Sequence, residues 1–287
     1  MKVLVLGAGG QVARAVAACV PQQHSVYLKS HSDVDITDER ELVAAVAEVA
    51  PAWVINGAAY TAVDKAESEP ERARAINETA VGSMARAAAS HNCRLLHLST
   101  DFVFNGCSNR AYLPEDPTDP LSVYGATKLG GERQAMAHAE SIVLRTAWVY
   151  DSTGRNFALT MLRLMREKPE VRVVADQIGT PTWATSIAHA IWGLIGVSAG
   201  PAIYHWTDLG IATWYDFAVA IQEEALARGL LDGAVPIVPI RTSDYPTPAR
   251  RPPFSALDCE STRVVTALPA VHWRHQLRSM LDELPTS

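Results

Sequence analysis

The sequence predicts an α/β protein in which a doubly wound parallel sheet is followed by a smaller α/β region. Short apolar runs alternate with helix-like segments through the first half of the chain. This alternation is typical of a parallel sheet covered by helices on both faces. The first apolar run leads directly into a glycine-rich turn at residues 7–13. Such a turn between a strand and a helix is typical of folds that bind nucleotides.

Five strands and four helices are predicted in the first half. The strands are short and rich in aliphatic side chains, and they fall at residues 3–6, 25–28, 53–56, 94–99 and 141–148. The helices fall between them at residues 11–20, 38–50, 69–91 and 121–139. With right-handed crossovers, this order of elements gives a Rossmann-like doubly wound sheet.

The pattern is looser after residue 148. Helices are predicted at residues 156–168, 184–195, 213–228 and 272–284, and strands at residues 172–174, 203–206 and 235–240. Residues 245–253 contain four prolines and cannot be regular, because proline fixes φ and lacks a backbone donor. We therefore expect a dinucleotide-binding domain at residues 1–147 and a smaller α/β substrate-binding region at residues 148–287. Later segments are free to return to the first domain.

Composition excludes several classes of protein. The chain has 287 residues, of which 48% are hydrophobic and 20% charged, and this is a globular composition. A net charge of -6 gives no electrostatic footprint for nucleic acid or an anionic membrane. The four cysteines form no Cys-x-x-Cys pair, so neither a metal site nor a disulfide framework is predicted. No signal peptide or membrane-spanning run is visible, and a cytoplasmic protein is expected.

The glycine turn predicts a dinucleotide site. Gly7 and Gly10 permit close approach of a pyrophosphate, and the helix that starts near Gln11 and Val12 supplies free N–H groups and positive dipole. Ala13 takes the place of the third small residue, which lets helix and strand pack closely. A tight turn without ligand is the alternative interpretation of the same glycines.

The end of the second strand bears on the choice of cofactor. An acid at this position bonds the 2′-hydroxyl of NAD, whereas basic residues accommodate the 2′-phosphate of NADP. The sequence has Lys29, Ser30 and His31 here, which favours NADPH. Asp33 and Asp35 follow soon after, so NADH stays possible.

Tyr124 and Lys128 are candidate catalytic residues. They lie four residues apart in a predicted helix, so the phenol and the ammonium share a face. An ammonium beside a phenol lowers the pKa of the phenol, which helps the tyrosine to exchange a proton. Thr100 ends the fourth strand, where its hydroxyl can polarise a substrate carbonyl that faces Tyr124. Taken singly, the pair also fits an ordinary helix surface and the threonine a strand-end cap.

These motifs together resemble the extended short-chain dehydrogenase/reductases. Longer stretches are similar to the dTDP-4-dehydrorhamnose reductases of nucleotide-sugar biosynthesis, and they occupy residues 10–12, 56–67, 99–104, 123–128, 145–150, 213–217 and 245–252. The resemblance runs nearly end to end. The stretches at 56–67, 145–150 and 245–252 are the most specific, because the glycine turn and the tyrosine–lysine pair are shared by a whole superfamily.

The resemblance implies a function and a set of site residues. Transfer of a nicotinamide hydride to the 4-keto group of dTDP-4-dehydro-β-L-rhamnose gives dTDP-L-rhamnose. Tyr124 is then the proton donor, and Lys128 its partner, which also holds the cofactor ribose. Further positions implied along the cofactor are Asp35, Ile36, Ala58, Ala59 and Tyr60. The positions implied at the substrate are Thr100, Asp101 and Trp148.

Several alternatives stay open. Arg250 and Arg251 could clamp the substrate diphosphate or form an ordinary surface pair. A reductase of another dTDP-4-keto-6-deoxy sugar, a 4,6-dehydratase or 4-epimerase, and a non-catalytic regulatory subunit share the fold. The first helix carries no carboxylate, so a metal-bridged dimer through it is not supported. A monomer or a homodimer is expected.

Overall fold

A computed structural model of the chain describes residues 1–138 and 140–285. The end of the helix predicted at 121–139 and the last two residues of the predicted second region therefore lie outside the described residues. The strands are β1 (Lys2–Leu6), β2 (Ser25–Lys29), β3 (Trp53–Asn56), β4 (Arg94–Thr100), β5 (Ser141–Thr146), β6 (Val149–Tyr150), β7 (Val171–Val174), β8 (Ile178–Gly179), β9 (Thr182–Trp183), β10 (Ala202–His205), β11 (Ala212–Thr213) and β12 (Ile237–Ile240). The helices are α1 (Gln11–Ala18), α2 (Glu39–Val49), α3 (Val63–Ala66), α4 (Pro70–Arg74), α5 (Ala80–Ser90), α6 (Val123–Met136), α7 (Phe157–Glu167), α8 (Ala184–Gly196), α9 (Trp214–Leu226), α10 (Glu260–Thr266) and α11 (Trp273–Asp282).

Six parallel strands form the central sheet, in the order β10-β5-β4-β3-β1-β2. Helices α1 and α8 pack on one face of this sheet, and α2, α5 and α6 pack on the other. Strand β1 shows why the sheet is buried, since Val3, Leu4 and Val5 are fully buried although they alternate between the two faces. Each such side chain contributes about 1.5–3 kcal/mol when it leaves water. The predicted α/β doubly wound fold is confirmed.

The chain after residue 148 contributes both to the central sheet and to a second apolar core. Strand β10 pairs with β5 at the edge of the central sheet, and α8 covers a face of that sheet. Helices α7, α9 and α11 and strand β7 instead form a second apolar core. In the described part of the chain, no helix is both long and apolar enough to cross a membrane.

Several local features differ from the sequence prediction, among them four two-residue strands (β6, β8, β9 and β11) that were not predicted. The strand predicted at 141–148 ends at Thr146, because Trp148 has a positive φ of 47°, which a continuing strand cannot accommodate. The helix predicted at 69–91 is α4 and α5 joined by a π-helical turn at Ala75–Thr79. Helices α3 and α10 were not predicted, since four and seven residues are too few for a periodic pattern.

Helix α6 packs unusually close to its neighbours. Ser122 caps its first turn by accepting a hydrogen bond from the Gly125 N–H at 3.2 Å. A Cβ on Gly131 would lie 2.1 Å from the carbonyl oxygen of Asn77 in the π-helical turn. A Cβ on Gly125 would lie 2.3 Å from the carbonyl oxygen of Phe102. Glycine at these positions therefore fixes how close the helix comes to the end of β4.

We predict that Gly131→Ala lowers the free energy of unfolding by about 3 kcal/mol, because a backbone carbonyl cannot move away as a side chain can. Urea unfolding followed by circular dichroism measures the change. Gly196→Ala is the matched control, since no atom lies within 4 Å of a Cβ there. Equal midpoints for the two variants would contradict the close packing of α6.

Candidate active site

The glycine turn has the geometry of an anion site. Gly7 has a φ of +86°, and a Cβ there would lie 2.6 Å from the backbone nitrogen of Ala58. Gly10 precedes α1, and no side chain caps the free N–H groups of the first turn, which also contains no acid. These N–H groups and the helix dipole fit a pyrophosphate. The residues present thus fit a dinucleotide at this turn.

A cleft of about 430 Å³ lies beside the turn, at the carboxyl ends of β1, β2 and β3. It brings together many of the residues predicted along the cofactor: Gly7, Ser30, Asp35, Ile36, Ala58 and Ala59. His31 also lines the cleft. Apolar walls with a few polar groups suit an adenosine moiety.

The structure does not bring Lys29 into this cleft. Its ammonium instead lies 3.2 Å from Glu48 of α2. The Ser30 hydroxyl donates to Asp33 at 2.6 Å. Among the described residues that line the cleft, the basic ones are His31 and Arg72. Arg72 lies in α4 and is largely exposed, and sequence reasoning missed it because nothing local connects α4 to the end of β2.

The remaining predicted cofactor residues lie around the turn. Gln11 begins α1, and its side-chain oxygen accepts a hydrogen bond from Asn156 at 2.9 Å. This contact ties the glycine turn to the start of α7. Val12 packs against the core of the central sheet. Tyr60 is buried, its backbone N–H donates to Asn77, and its hydroxyl donates to Glu69.

Thr100, Asp101 and Tyr124 meet at the end of β4. The Thr100 side chain is buried and donates to the Asp101 carboxylate at 3.0 Å. Burial is the main cause that raises the pKa of Tyr124 to about 12; the Thr100 hydroxyl beside the phenol opposes the rise, and the nearby Asp101 carboxylate adds a smaller one. The structure thus places the predicted hydroxyl next to the predicted proton donor.

The expected effect of Lys128 on the phenol is not seen. The pKa of Tyr124 is raised, and Lys128 is not among the causes of the shift. The lysine is buried, and its ammonium donates to the carbonyl of Leu98 at 2.5 Å. Burial lowers the pKa of Lys128 to about 8, although Glu132 opposes the change. The helical spacing was predicted correctly, but the direction of the phenol's pKa was wrong because burial dominates it.

Asp101 carries a buried carboxyl with a raised pKa. Only 2% of the residue is exposed, and burial raises its pKa to about 6 in spite of hydrogen bonds from Ser255 and Thr100. Within the described structure its Oδ2 atom has no hydrogen-bond partner. A carboxylate oxygen left free at the end of β4 can accept a hydroxyl from a ligand.

Trp148 lies two residues beyond the end of β5 and has a strained backbone conformation. Its indole stacks on Trp214 with ring centroids 3.5 Å apart, and Gly179 lies so close that a Cβ would come within 2.5 Å of the ring. The positive φ of a bulky residue persists only where its surroundings enforce it. The stack occupies one face of the Trp148 indole.

The two arginines of the proline segment differ. Arg250 is exposed. Arg251 binds the Asp64 carboxylate through two nitrogens at 2.8 and 3.0 Å. It also lines a second cleft of about 580 Å³ between α7, β7, β12 and the proline segment. The cleft has apolar walls, with Gln177, Trp214 and Thr247 among its lining residues.

The two clefts and the Thr100–Tyr124 pair define a class of protein. Ligands of doubly wound sheets bind outside the carboxyl ends of the strands, and both predicted hydroxyls lie there. A nucleotide-binding turn combined with a tyrosine–lysine pair on the helix after β4 is the arrangement of the short-chain dehydrogenase/reductases, and the fold and the site place this chain among them.

Comparison with known proteins gives the family. The chain belongs to the RmlD substrate binding domain family, whose model matches residues 1–286. It is 39% identical to a dTDP-4-dehydrorhamnose reductase of Escherichia coli K12, over 100% of this chain and 99% of the relative. It is 40% identical to one of Burkholderia thailandensis, over 99% of each chain. The crystal structure of dTDP-4-dehydrorhamnose reductase from Bacillus anthracis in complex with NADP is similar, with a TM-score of 0.93 and 31% identity over 98% of this chain and 99% of that one.

We predict that Arg72→Ala weakens binding of NADPH about tenfold and leaves binding of NADH nearly unchanged, because the guanidinium is the strong cation of the adenosine cleft. Titration of nicotinamide fluorescence measures both affinities. Lys29→Ala is the matched control and should change neither by more than about twofold. A larger loss for Lys29→Ala would instead assign the 2′-phosphate to the lysine.

We also predict that Asp101→Asn stabilises the protein at neutral pH. The pKa of Asp101 is about 6 in the folded chain and has its lower, ordinary value in the unfolded one, so stability falls as the pH rises through 6. The gain should be about 3 kcal/mol at pH 7.5 and about 1 kcal/mol at pH 4.5. Denaturant unfolding at the two pH values checks this, and a gain independent of pH would refute the buried charge as its cause.

Proposed function

We propose that the chain catalyses the NADPH-dependent reduction of the 4-keto group of dTDP-4-dehydro-β-L-rhamnose to give dTDP-L-rhamnose. The observation that carries the proposal is the buried Thr100 hydroxyl beside the Tyr124 phenol, at the end of β4. Relatives named dTDP-4-dehydrorhamnose reductase match the chain over nearly its whole length.

The cofactor fits the first cleft and the glycine turn. NADPH, when bound, supplies the hydride. Gly7 and Gly10 let the backbone come close to the pyrophosphate, which the free N–H groups of the first turn of α1 bind, and Ala58 and Ala59 leave room for the adenosine. Lys128 is proposed to contact the nicotinamide ribose. Asp35 accepts hydrogen bonds from Thr37, which keeps its carboxylate fixed at the rim of the cleft.

Tyr124 delivers the proton. With a pKa of about 12, the phenol keeps its proton throughout the neutral range and so enters the reaction as an acid. The Thr100 hydroxyl turns from Asp101 to donate to the same carbonyl oxygen, which fixes the oxygen and favours negative charge on it. The proton of Tyr124 then passes to that oxygen as the new alcohol forms. Asp101 receives sugar hydroxyls with its free carboxylate oxygen.

The second cleft suits the nucleotide part of the substrate. Met161, Leu164 and Val173 supply apolar walls, and Gln177 offers an amide. Arg251 is held in place by Asp64, so its guanidinium meets a diphosphate with little loss of side-chain freedom. Arg250 is proposed to contact the diphosphate, and Trp148 the sugar. The protein is proposed to act in the cytoplasm, as a monomer or a homodimer.

We predict that Tyr124→Phe lowers kcat by a factor of about 10²–10⁴, since general acid catalysis is worth that much. The affinity for NADPH should barely change, because the phenol acts on the carbonyl. Consumption of NADPH with dTDP-4-dehydrorhamnose, read at 340 nm, gives kcat, and fluorescence titration gives the affinity. Tyr27→Phe, in an exposed part of β2, is the control.

Three outcomes of the same assay bear on the proposal. Unchanged turnover in Tyr124→Phe removes the tyrosine from proton delivery. Absence of NADPH oxidation by the unaltered chain favours another dTDP-linked sugar or a regulatory subunit. The configuration of the product at C4 distinguishes rhamnose from its epimer.

A further inference from the structure

A buried polar chain leads from β3 to Lys128. Asn56 lies at the end of β3, His97 in the middle of β4 and Lys128 on α6, and these residues are 1%, 0% and 3% exposed. The Asn56 amide nitrogen lies 2.9 Å from Nδ1 of His97. The other ring nitrogen of His97, Nε2, lies 3.4 Å from Nζ of Lys128. The proposed function uses Lys128 and assigns no role to the other two residues.

The orientation of the Asn56 amide is fixed by the backbone. Its side-chain oxygen accepts the N–H of Ala58 at 3.1 Å. If the amide were turned round, two donors would face each other in a buried place, which costs about 1–3 kcal/mol. The amide nitrogen therefore points at His97, and it can only donate.

The orientation of Asn56 determines the tautomer of His97. Because Nδ1 accepts a hydrogen bond from the amide, it carries no proton. Burial and the neighbouring Lys128 hold the pKa of His97 well below its ordinary value, so the ring is neutral and carries its one proton on Nε2. The Nε2–H group faces Nζ of Lys128, its polar neighbour in the described structure.

A donor that faces Lys128 opposes its ammonium form. An amine nitrogen can accept the Nε2–H, whereas an ammonium has no lone pair with which to do so. The other charged or titratable groups around the lysine are Tyr124 and Glu132 on its own helix. Glu132 is itself bound by Arg145 of β5 at 2.7 Å and by Ser99 of β4 at 2.5 Å.

The π-helical turn contributes one further carboxylate to these surroundings. Glu78 packs against α6 at Gly130, where a Cβ would lie 2.6 Å from its Oε2 atom. It is partly exposed and lies 3.8 Å from Arg74. Among the described residues, the hydrogen-bond partners of Nζ are the Leu98 carbonyl, which accepts from it, and Nε2 of His97, which is therefore the side-chain group placed to oppose its positive charge.

We propose that Asn56 and His97 are positioning residues that act on Lys128: Asn56 fixes the tautomer in which His97 donates to Nζ, and this donation eases loss of the lysine's proton. The consequence for catalysis rests on the proposed function, in which Lys128 contacts the nicotinamide ribose. Burial lowers the pKa of Lys128 to about 8, and donation from Nε2–H acts in the same direction. The alkaline limb of the activity profile then belongs to Lys128 and is controlled from β3 and β4.

The tautomer can be measured without turnover. In protein labelled with ¹⁵N-histidine, two-bond ¹H–¹⁵N correlation spectra distinguish a protonated ring nitrogen from an unprotonated one. The chain has nine histidines, and the signals lost in His97→Gln identify His97. We expect a proton on Nε2 in the unaltered chain. A proton on Nδ1 overturns the proposal.

Asn56→Asp reverses the direction of the hydrogen bond between residue 56 and Nδ1 of His97. An aspartate accepts from Nδ1–H and still accepts from Ala58, so Nε2 becomes an acceptor for the lysine ammonium. The His97 proton should move to Nδ1, and the alkaline limb of kcat should move up by about one pH unit. Asn77→Asp is the matched control. Its amide donates to Tyr60 and Thr127, so this variant should leave the His97 tautomer unchanged.

The other results of these experiments also test the proposal. If His97 carries its proton on Nε2 in the unaltered chain, but the alkaline limb of kcat does not move in Asn56→Asp, the proposal is overturned. If Asn56→Asp does not fold, His97→Gln decides, because its side-chain oxygen can turn to the ammonium and should move the limb up. An unmoved limb there overturns the proposal as well. Absence of NADPH oxidation by the unaltered chain contradicts the proposed function, while the spectra still test the pair.

Discussion

The buried ion pair between Glu132 and Arg145 holds the catalytic helix on the sheet. Both side chains are 2% exposed, and two hydrogen bonds of 2.7 and 2.8 Å join them. Ser99 of β4 donates to the same carboxylate, and Arg145 also donates to the carbonyl of Pro114. Removal of one partner from such a pair costs about 3–5 kcal/mol, because a charge is left buried and alone.

The position of this pair in the sequence connects it with the chemistry. Tyr124, Lys128 and Glu132 follow one another at intervals of four residues on α6, so they form one stripe along the helix. The first residue of the stripe faces the Thr100 hydroxyl, the second reaches the carbonyl of Leu98, and the third binds Arg145. Anchoring the third residue therefore fixes the height of the first two above the end of β4. The glycines of α6 allow this close approach, and the ion pair selects one position of the helix relative to β4.

Much of this arrangement follows from local sequence. The glycine turn, the five strands of the first half and the helical spacing of Tyr124 and Lys128 each depend on a few consecutive residues, and the structure has them where the pattern predicts. Side-chain partners that lie far apart in the sequence could not be predicted. Lys29 contacts Glu48 of α2, which packs on β1, the neighbour of β2, and Trp148 stacks on Trp214 of α9, which packs against the second core. Burial also reversed the direction of the pKa shift expected for Tyr124. The loss of water around the phenol depends on the packing of the whole fold, which the local sequence does not give.

Burial disfavours the charged forms of Asp101 and Lys128 at the site. Burial raises the pKa of Asp101 to about 6 and lowers that of Lys128 to about 8, so in each case the ionised form is disfavoured. Between these two values the carboxylate and the ammonium are both mostly charged, while the phenol of Tyr124 keeps its proton. Across this window both groups destabilise the folded chain by nearly their full amount, because each is charged more readily when the chain is unfolded. The apolar packing of the sheet and the Glu132–Arg145 pair supply the stability that lets two such groups stay charged within reach of one carbonyl.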